Sequence, residues 1–215
     1  MGFYLSVIYP ILDSSFIPAG LPAARRAEFL DRLGRSMADA GVRLMEYRNK
    51  SGADADVLAD AHILRKAMPG ATLVMDDRVD VALAADFDGA HVDAGDLPVS
   101  DARYLLGPNR IVGTSAGSEA QLLDALASGA DYIAFGPVYP TTTKQTSASP
   151  IGLDGVRRFR QLAGTSPALV AAAGITLETA PAILEAGANS VAVAAAIFGC
   201  EDPAAEYRRW MARLR

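Results

Sequence analysis

Residues 110–135 read RIVGTSAGSEAQLLDALASGADYIAF. A short apolar run, Arg110–Gly113, leads into an amphipathic stretch, Ser118–Ala127; a glycine turn follows, then a second apolar run, Tyr132–Phe135. Runs this short and apolar on both faces suit strands buried in a parallel sheet. Gly129 supplies the left-handed turn that closes the helix between them. The segment is one strand–helix–strand unit. Outward from it the alternation continues to both ends of the chain. Strands are expected at Tyr4–Tyr9, Val42–Tyr47, Thr72–Met75, Gly89–Val92, Arg110–Gly113, Tyr132–Phe135, Ala168–Ala171 and Ser190–Val193. Helices are expected at Ala23–Ala40, Ala53–Met68, Arg78–Ala85, Asp101–Leu106, Ser118–Ala127, Gly152–Leu162, Thr176–Glu185 and Pro203–Leu214. The junction Gly129-Ala130-Asp131-Tyr132 is echoed by Gly187-Ala188-Asn189-Ser190, each closing a helix and opening a strand. Eight alternating pairs predict a single-domain (β/α)8 TIM barrel spanning 1–215, at about 27 residues per unit. An open doubly wound sheet rarely needs eight consecutive units.

The composition sets the outer limits. Of 215 residues, 51% are hydrophobic, which excludes disorder, and the lone Cys200 excludes a disulfide scaffold and, by itself, a zinc site. No apolar run reaches the ~18 residues of a membrane span, and MGFYLSVIYP lacks the basic flank of a signal peptide. A reduced, cytoplasmic compartment is the expectation. With net charge −5 and no basic stripe, neither nucleic acid nor membrane is an expected partner. Anionic small molecules must then be held by locally placed cations. Arg25-Arg26, Arg157-Arg158 and Arg208-Arg209 lie in helical patterns and read as solvated faces; Lys50 and Lys144 sit in polar, turn-rich contexts instead.

A barrel builds its site from strand C-terminal ends and the loops beyond them. Those positions carry Glu46, Arg48 and Lys50, then Asp76 and Asp77, Asp93 and Asp96, Ser115, then Thr141, Thr143 and Lys144, Gly174, and Ala194–Ala196. Carboxylates beside lysines and an arginine point to a metal–phosphate site. Mg2+ prefers hard oxygen ligands, one or two carboxylates with substrate phosphates and water. Asp77 and Asp96 would supply the carboxylates, while Lys50 and Lys144 neutralise phosphate oxygens. Plainer readings stand beside this one. Asp76 and Asp77 suit a helix cap, Thr141–Thr143 a polar loop, Gly174 an ordinary turn, and His91 a hydrogen-bonded structural role; His62 reads as surface or packing. The long irregular segment Gly136–Ile151 is expected to be a lid or binding loop.

At these residues the sequence resembles the thiamine phosphate synthase family, over Tyr9 to Phe198. Gly136-Pro137-Val138-Tyr139-Pro140-Thr141-Thr142-Thr143-Lys144 is similar to that family's GP-[IV]-[FY]-PTxTK segment. Arg48-Asn49-Lys50 resembles its R-x-K motif, Asp77-Arg78-Val79-Asp80 its DRVDLA segment, Ala90 to Pro98 its VHLGQEDLP segment, and Gly113-Thr114-Ser115 its GxS. The resemblance implies condensation of hydroxymethylpyrimidine diphosphate with thiazole phosphate, releasing pyrophosphate with Mg2+. It puts Arg48, Lys50, Asp77, Asp96, Ser115 and Lys144 on pyrophosphate and metal positions. Lys144, Ser115, Arg48 and Lys50 make the catalytic set. Thr141, Thr143 and Gly174 fall on the thiazole phosphate side, with the backbone near Ala194 and Ala195.

Departures from the family concentrate at the same rim. Asp76 replaces a usual Asn, Glu46 a Gln that contacts the pyrimidine ring, Asp93 a Gly, and Ala94-Gly95 a Gln-Glu. Ala173 and Ala195 replace a Gly and a Ser. Glu46 is expected to share a face with Arg48, and either contacts the ring or pairs with Arg48 or Lys50. The partners implied are small phosphorylated molecules, with a homodimer as the only larger assembly considered. A thiazole tautomerase-like isomerase using a histidine, and a non-catalytic binding barrel, are the alternatives.

Overall fold

The computed structural model describes residues 5–141 and 149–214. Eight parallel strands close into a barrel in chain order: β1 (Ile8–Asp13), β2 (Leu44–Arg48), β3 (Thr72–Asp76), β4 (Gly89–Val92), β5 (Ile111–Ala116), β6 (Tyr132–Phe135), β7 (Ala168–Ala172) and β8 (Ser190–Val193). The helices are α1 (Ala23–Asp39), α2 (Asp54–Ala67), α3 (Val79–Ala84), α4 (Val99–Leu106), α5 (Glu119–Ala127), α6 (Gly152–Ala163), α7 (Ala180–Glu185), α8 (Ala195–Phe198) and α9 (Pro203–Leu214). The expected (β/α)8 architecture is the observed one.

Successive strand residues face opposite ways, so each strand serves two cores. Inside the barrel, Tyr9, Leu44, Val74, Tyr132, Val170 and Ala192 pack together. Their chain neighbours Ile8, Met45, Leu73, Ile133, Leu169 and Val191 face outward into the layer beneath the helices. The interior holds two tyrosines because a neighbour gives way: a Cβ at Gly113 would lie 2.0 Å from the Tyr132 ring. Above this layer, toward the strand C-termini, the inward positions turn polar, with Glu46, Asp76 and His91 all buried.

The opposite rim is stapled by a repeated device. Asp88, Asp131 and Asn189 stand directly before β4, β6 and β8. Each accepts the backbone N–H of the second residue of the preceding strand: Leu73 at 2.8 Å, Val112 at 2.8 Å and Leu169 at 2.9 Å. Their own N–H groups donate back to the carbonyls of the same three residues. An arginine completes each staple, Arg65 from α2, Arg103 from α4 and Arg160 from α6.

Most boundaries move by one to three residues, β5 running on to Ala116; the larger departures are three. β1 lies at Ile8–Asp13, four residues beyond the expected Tyr4–Tyr9. Pro10 reads as a break because it has no N–H, yet β1 pairs there with β8 alone, and its ladder with β2 begins at Ile11. Helix α7 starts at Ala180 rather than Thr176, since Pro181 is tolerated only in a first turn. The four-residue α8 is an addition; it is too short to show a helical period.

Candidate active site

The C-terminal ends of β1, β2 and β3 converge on a mesh of charge. Arg48, the last residue of β2, hydrogen-bonds Asp13, the last of β1, and sets its Nε 3.3 Å from Asp76 Oδ2, the last of β3. Lys50 Nζ binds Asp77 and also lies 3.3 Å from Asp76 Oδ2. Burial raises the Asp13 carboxyl, but hydrogen bonds from Ser15 and Arg48 outweigh it and hold the group below its ordinary range. Asp76 goes the other way: burial and Asp77 raise it against the pull of His91, Lys50 and Arg48. Its Oδ2 has these ion pairs but no aligned hydrogen bond.

Asp77 is held at φ +62°, a left-handed conformation that Asp adopts more readily than most residues. Its N–H donates to the His91 carbonyl at 2.8 Å, latching the β3 loop onto β4. The plain capping role is not what it plays; α3 has Arg78 at its N-cap and no side-chain cap. Asp77 Oδ1 is buried and without a hydrogen-bond partner. Beside it, burial and the neighbouring Asp77 carboxyl raise the Asp96 carboxyl. Asp96 Oδ2 also accepts the Asp93 N–H at 2.8 Å. Two cations, Arg48 and Lys50, thus face four carboxyl groups, Asp13, Asp76, Asp77 and Asp96. An orphaned oxygen facing a second carboxyl is a donor set that fits a hard divalent cation. Among the described residues no group of three or more His, Cys, Asp or Glu forms a cation cage.

A second hydrogen-bond chain runs through the barrel mouth below this mesh. Tyr9 donates to Glu46 Oε2 at 2.9 Å, and its oxygen lies 2.8 Å from that of Tyr132. Tyr132 lies 3.0 Å from His91 Nδ1, and His91 Nε2 lies 2.9 Å from Ser115 Oγ and 3.3 Å from Asp93. Burial keeps both phenols protonated. With its proton committed to Glu46, Tyr9 accepts from Tyr132, so Tyr132 accepts from His91, and Nδ1 carries a proton. Burial lowers His91, but Asp93 and Glu46 raise it to about 9, so Nε2 is a donor at neutral pH as well. Burial raises Glu46 to about 7, partly offset by the His91 charge. Glu46 therefore ends a hydrogen-bond chain and makes no ion pair with Arg48 or Lys50, whose carboxylate partners are Asp13, Asp76 and Asp77.

Across the rim, a cavity of about 400 Å3 opens between Pro140, Thr141, Gly174 and the Ala194–Ala196 backbone. Gly174 has φ +70°, and a Cβ there would meet the Pro140 and Tyr139 carbonyls at 2.6 Å. Ala173, just before it, is also left-handed at φ +72°. A neighbouring cavity of about 680 Å3 links Ser115 to Thr141 and Ser149. The two described ends of the Gly136–Ile151 segment are tied by Val138 N–H to the Ala172 carbonyl and Ile151 N–H to the Pro137 carbonyl. Thr143 and Lys144 lie outside the described residues, as does the middle of the expected lid.

Asp13 is a candidate site residue outside the sequence expectation, because β1 lies four residues beyond the expected strand; its signal is an acid ending the apolar run YPILD. Arg26, expected on a solvated helix face, is half-buried instead. It binds the buried Asp60 through Nε at 2.9 Å and Nη2 at 2.6 Å. His62 is exposed and Cys200 an exposed thiol, as expected. Among the described residues no helix is long and apolar enough to cross a membrane.

Residues 14–197 match the family described as thiamine monophosphate synthase. A thiamine-phosphate synthase of Chloroflexus aurantiacus is 41% identical over 171 residues, covering 79% of this chain and 78% of its own. Another, from Koribacter versatilis, is 38% identical over 195 residues and 90% of each chain. The solved thiamine phosphate pyrophosphorylase of Pyrococcus furiosus superimposes with a TM-score of 0.81 at 27% identity, covering 97% of this chain and 95% of that one.

Proposed function

The chain belongs to the thiamine monophosphate synthase family, and from that premise we propose how its own residues carry out the transfer. It is a transferase acting on small phosphorylated substrates. In the proposed reaction the C–O bond between a pyrimidine methylene and its diphosphate breaks, and pyrophosphate leaves with the electron pair. The thiazole nitrogen donates its lone pair to the resulting methylene cation, giving thiamine phosphate. The observation that carries this reading is the mesh of Arg48 and Lys50 with Asp13, Asp76 and Asp77 at the mouth of the barrel.

Arg48 and Lys50 bind diphosphate oxygens, and their carboxylate partners keep both cations aimed at one place before substrate arrives. Such preorganisation lowers the barrier because nothing need reorient as charge develops on the leaving group. Asp77 and Asp96 would hold Mg2+, Asp77 through its orphaned Oδ1. When bound, Mg2+ supplies the positive charge that stabilises departing pyrophosphate. Ser115, fixed by His91 Nε2 at 2.9 Å, has its hydroxyl proton free to donate to the same group. Lys144 is assigned to that group too, and Thr143 to the thiazole phosphate. Thr141, Gly174 and the backbone of Ala194 and Ala195 receive the thiazole phosphate in the cavity they line. Losing the serine hydroxyl at Ala195 leaves its N–H in place. Glu46 and the tyrosines floor the pyrimidine pocket, where a carboxyl group bonds a ring nitrogen more strongly than an amide does.

The test supplies both substrates with and without Mg2+ and follows thiamine phosphate and pyrophosphate. Equimolar formation of both, dependent on Mg2+, is the expected result. Thiazole isomerisation without pyrophosphate, or binding without turnover, would overturn the proposal.

A further inference from the structure

A buried polar network outside the proposed site ends at the loop that carries its cations. Asp60 of α2 is only 2% exposed, yet it is a carboxylate in a helix interior. Arg26 of α1 grips it with two nitrogens, and the Tyr47 hydroxyl donates to its Oδ2. Tyr47 lies on the outer face of β2, between the inward-facing Glu46 and Arg48. Its oxygen also accepts from Asn49 Nδ2 at 3.1 Å. The other end of the same amide, Oδ1, accepts from Gly52 N–H at 2.9 Å and Ser14 Oγ at 3.1 Å. Gly52 is a glycine for a reason: a Cβ there would sit 2.6 Å from Asn49 Nδ2.

Asn49 is the residue between Arg48 and Lys50, the variable position of the R-x-K resemblance. Its neighbour Arg48 binds Asp13, while Asn49 itself binds Ser14, so two parallel ties join the β1 and β2 loops. We propose that Asn49, seated on Tyr47 and the buried Asp60–Arg26 pair, is a positioning residue that sets where Lys50 points without touching substrate. The physical reason is that a lysine has four rotatable bonds, so its ammonium is only as well placed as the backbone beneath it. With Asn49 bonded to the strand below and to both loop flanks, that backbone has little room to move. Preorganised cations bind a phosphate group without a further ordering cost.

The inference rests on the proposed pyrophosphate role of this loop, so the experiment separates the two. Pyrophosphate affinity is measured by calorimetry with Mg2+ present, on the native protein, Asn49→Ala, Ser14→Ala, Lys50→Ala and the Asn49→Ala/Lys50→Ala double variant. KM is measured for both substrates. Asn49→Ala is expected to weaken pyrophosphate binding about fivefold to tenfold, or about 1–1.4 kcal/mol, and to raise KM for the diphosphate alone. Ser14→Ala, removing one of the four ties, should weaken binding by less. Against the Lys50→Ala background, Asn49→Ala should add less than about twofold, because its effect passes through the lysine. Additive losses, or equal rises in both KM values, would overturn the positioning role. If Lys50→Ala weakens binding and Asn49→Ala does not, the positioning proposal alone falls. If Lys50→Ala itself leaves pyrophosphate binding intact, the assignment of the loop falls and the proposal with it.

Discussion

Replacing Glu46 with Gln should change how the stability of the barrel depends on pH. The carboxyl is 3% exposed and accepts a hydrogen bond from Tyr9 that a glutamine oxygen can also accept. Burial raises it from 4.5 to about 7 in the folded protein. A folded pKa above the unfolded one means the folded state binds the proton more tightly. The stabilising contribution is therefore complete below pH 4.5 and is lost as pH rises through 7. Each pH unit of displacement is worth about 1.4 kcal/mol, which sets an upper limit of about 3.5 kcal/mol lost by the native protein and retained by Glu46→Gln. For a chain of this size, about 2–4 °C per kcal/mol makes the difference in Tm at most roughly 7–14 °C at pH 8. The value of about 7 already contains the attraction of the buried His91 charge, which holds Glu46 below where burial alone would put it. Calorimetric Tm measured from pH 4.5 to 9 decides the matter. The two curves should nearly coincide at the acid end and diverge through pH 7; parallel curves would refute the argument.

Other outcomes follow from single features. Asp77→Asn keeps a residue tolerant of φ +62° while removing the charge, and Asp96→Asn does the same for its neighbour. Each should cut kcat/KM by more than about tenfold, the loss of about 1.4 kcal/mol, and raise the Mg2+ needed for half activity; an unchanged Mg2+ requirement in both rules out the pair as ligands. Ser190 is fully buried with an unpaired hydroxyl, so Ser190→Ala should stabilise the fold by about 1 kcal/mol, read from urea denaturation, and a loss would show that the hydroxyl has a partner. Ala173→Gly relieves the left-handed backbone at φ +72°; strain of about 1–3 kcal/mol exceeds the chain entropy of about 0.4–1 kcal/mol that glycine adds to the unfolded state. Stability should rise by about 1 kcal/mol.

The barrel was legible because its strands are short, doubly buried and regularly punctuated by glycine, a pattern that local sequence carries. The ends of β4, β6 and β8 fall where the apolar runs do. What local sequence does not carry is cross-strand neighbourhood. Arg26 sits on an amphipathic helix and looks solvated until α2 brings Asp60 against it. Asp13 became visible only once β1 was seen to run through Pro10. Glu46 and His91 are 45 positions apart in the chain, joined by two tyrosines from β1 and β6 whose spacing leaves no periodic trace. His91 was read correctly as hydrogen-bonded, though its bond to Ser115 sets it at the edge of the proposed chemistry.

The staples before β4, β6 and β8 sit at the rim opposite all of these residues. A closed barrel has no free edge, so a mutation that loosens one loop cannot unzip the sheet from a border. Here the far rim is additionally fastened at three of its eight seams, each by a backbone exchange and an arginine. Durability and reactivity are thus written into opposite ends of the same strands. Loops at the reactive end can lengthen, shorten or change their charges while the fastened end keeps the strands in register. For anyone redesigning the scaffold toward another phosphorylated substrate, Arg65, Arg103 and Arg160 with their partners are the residues to leave untouched.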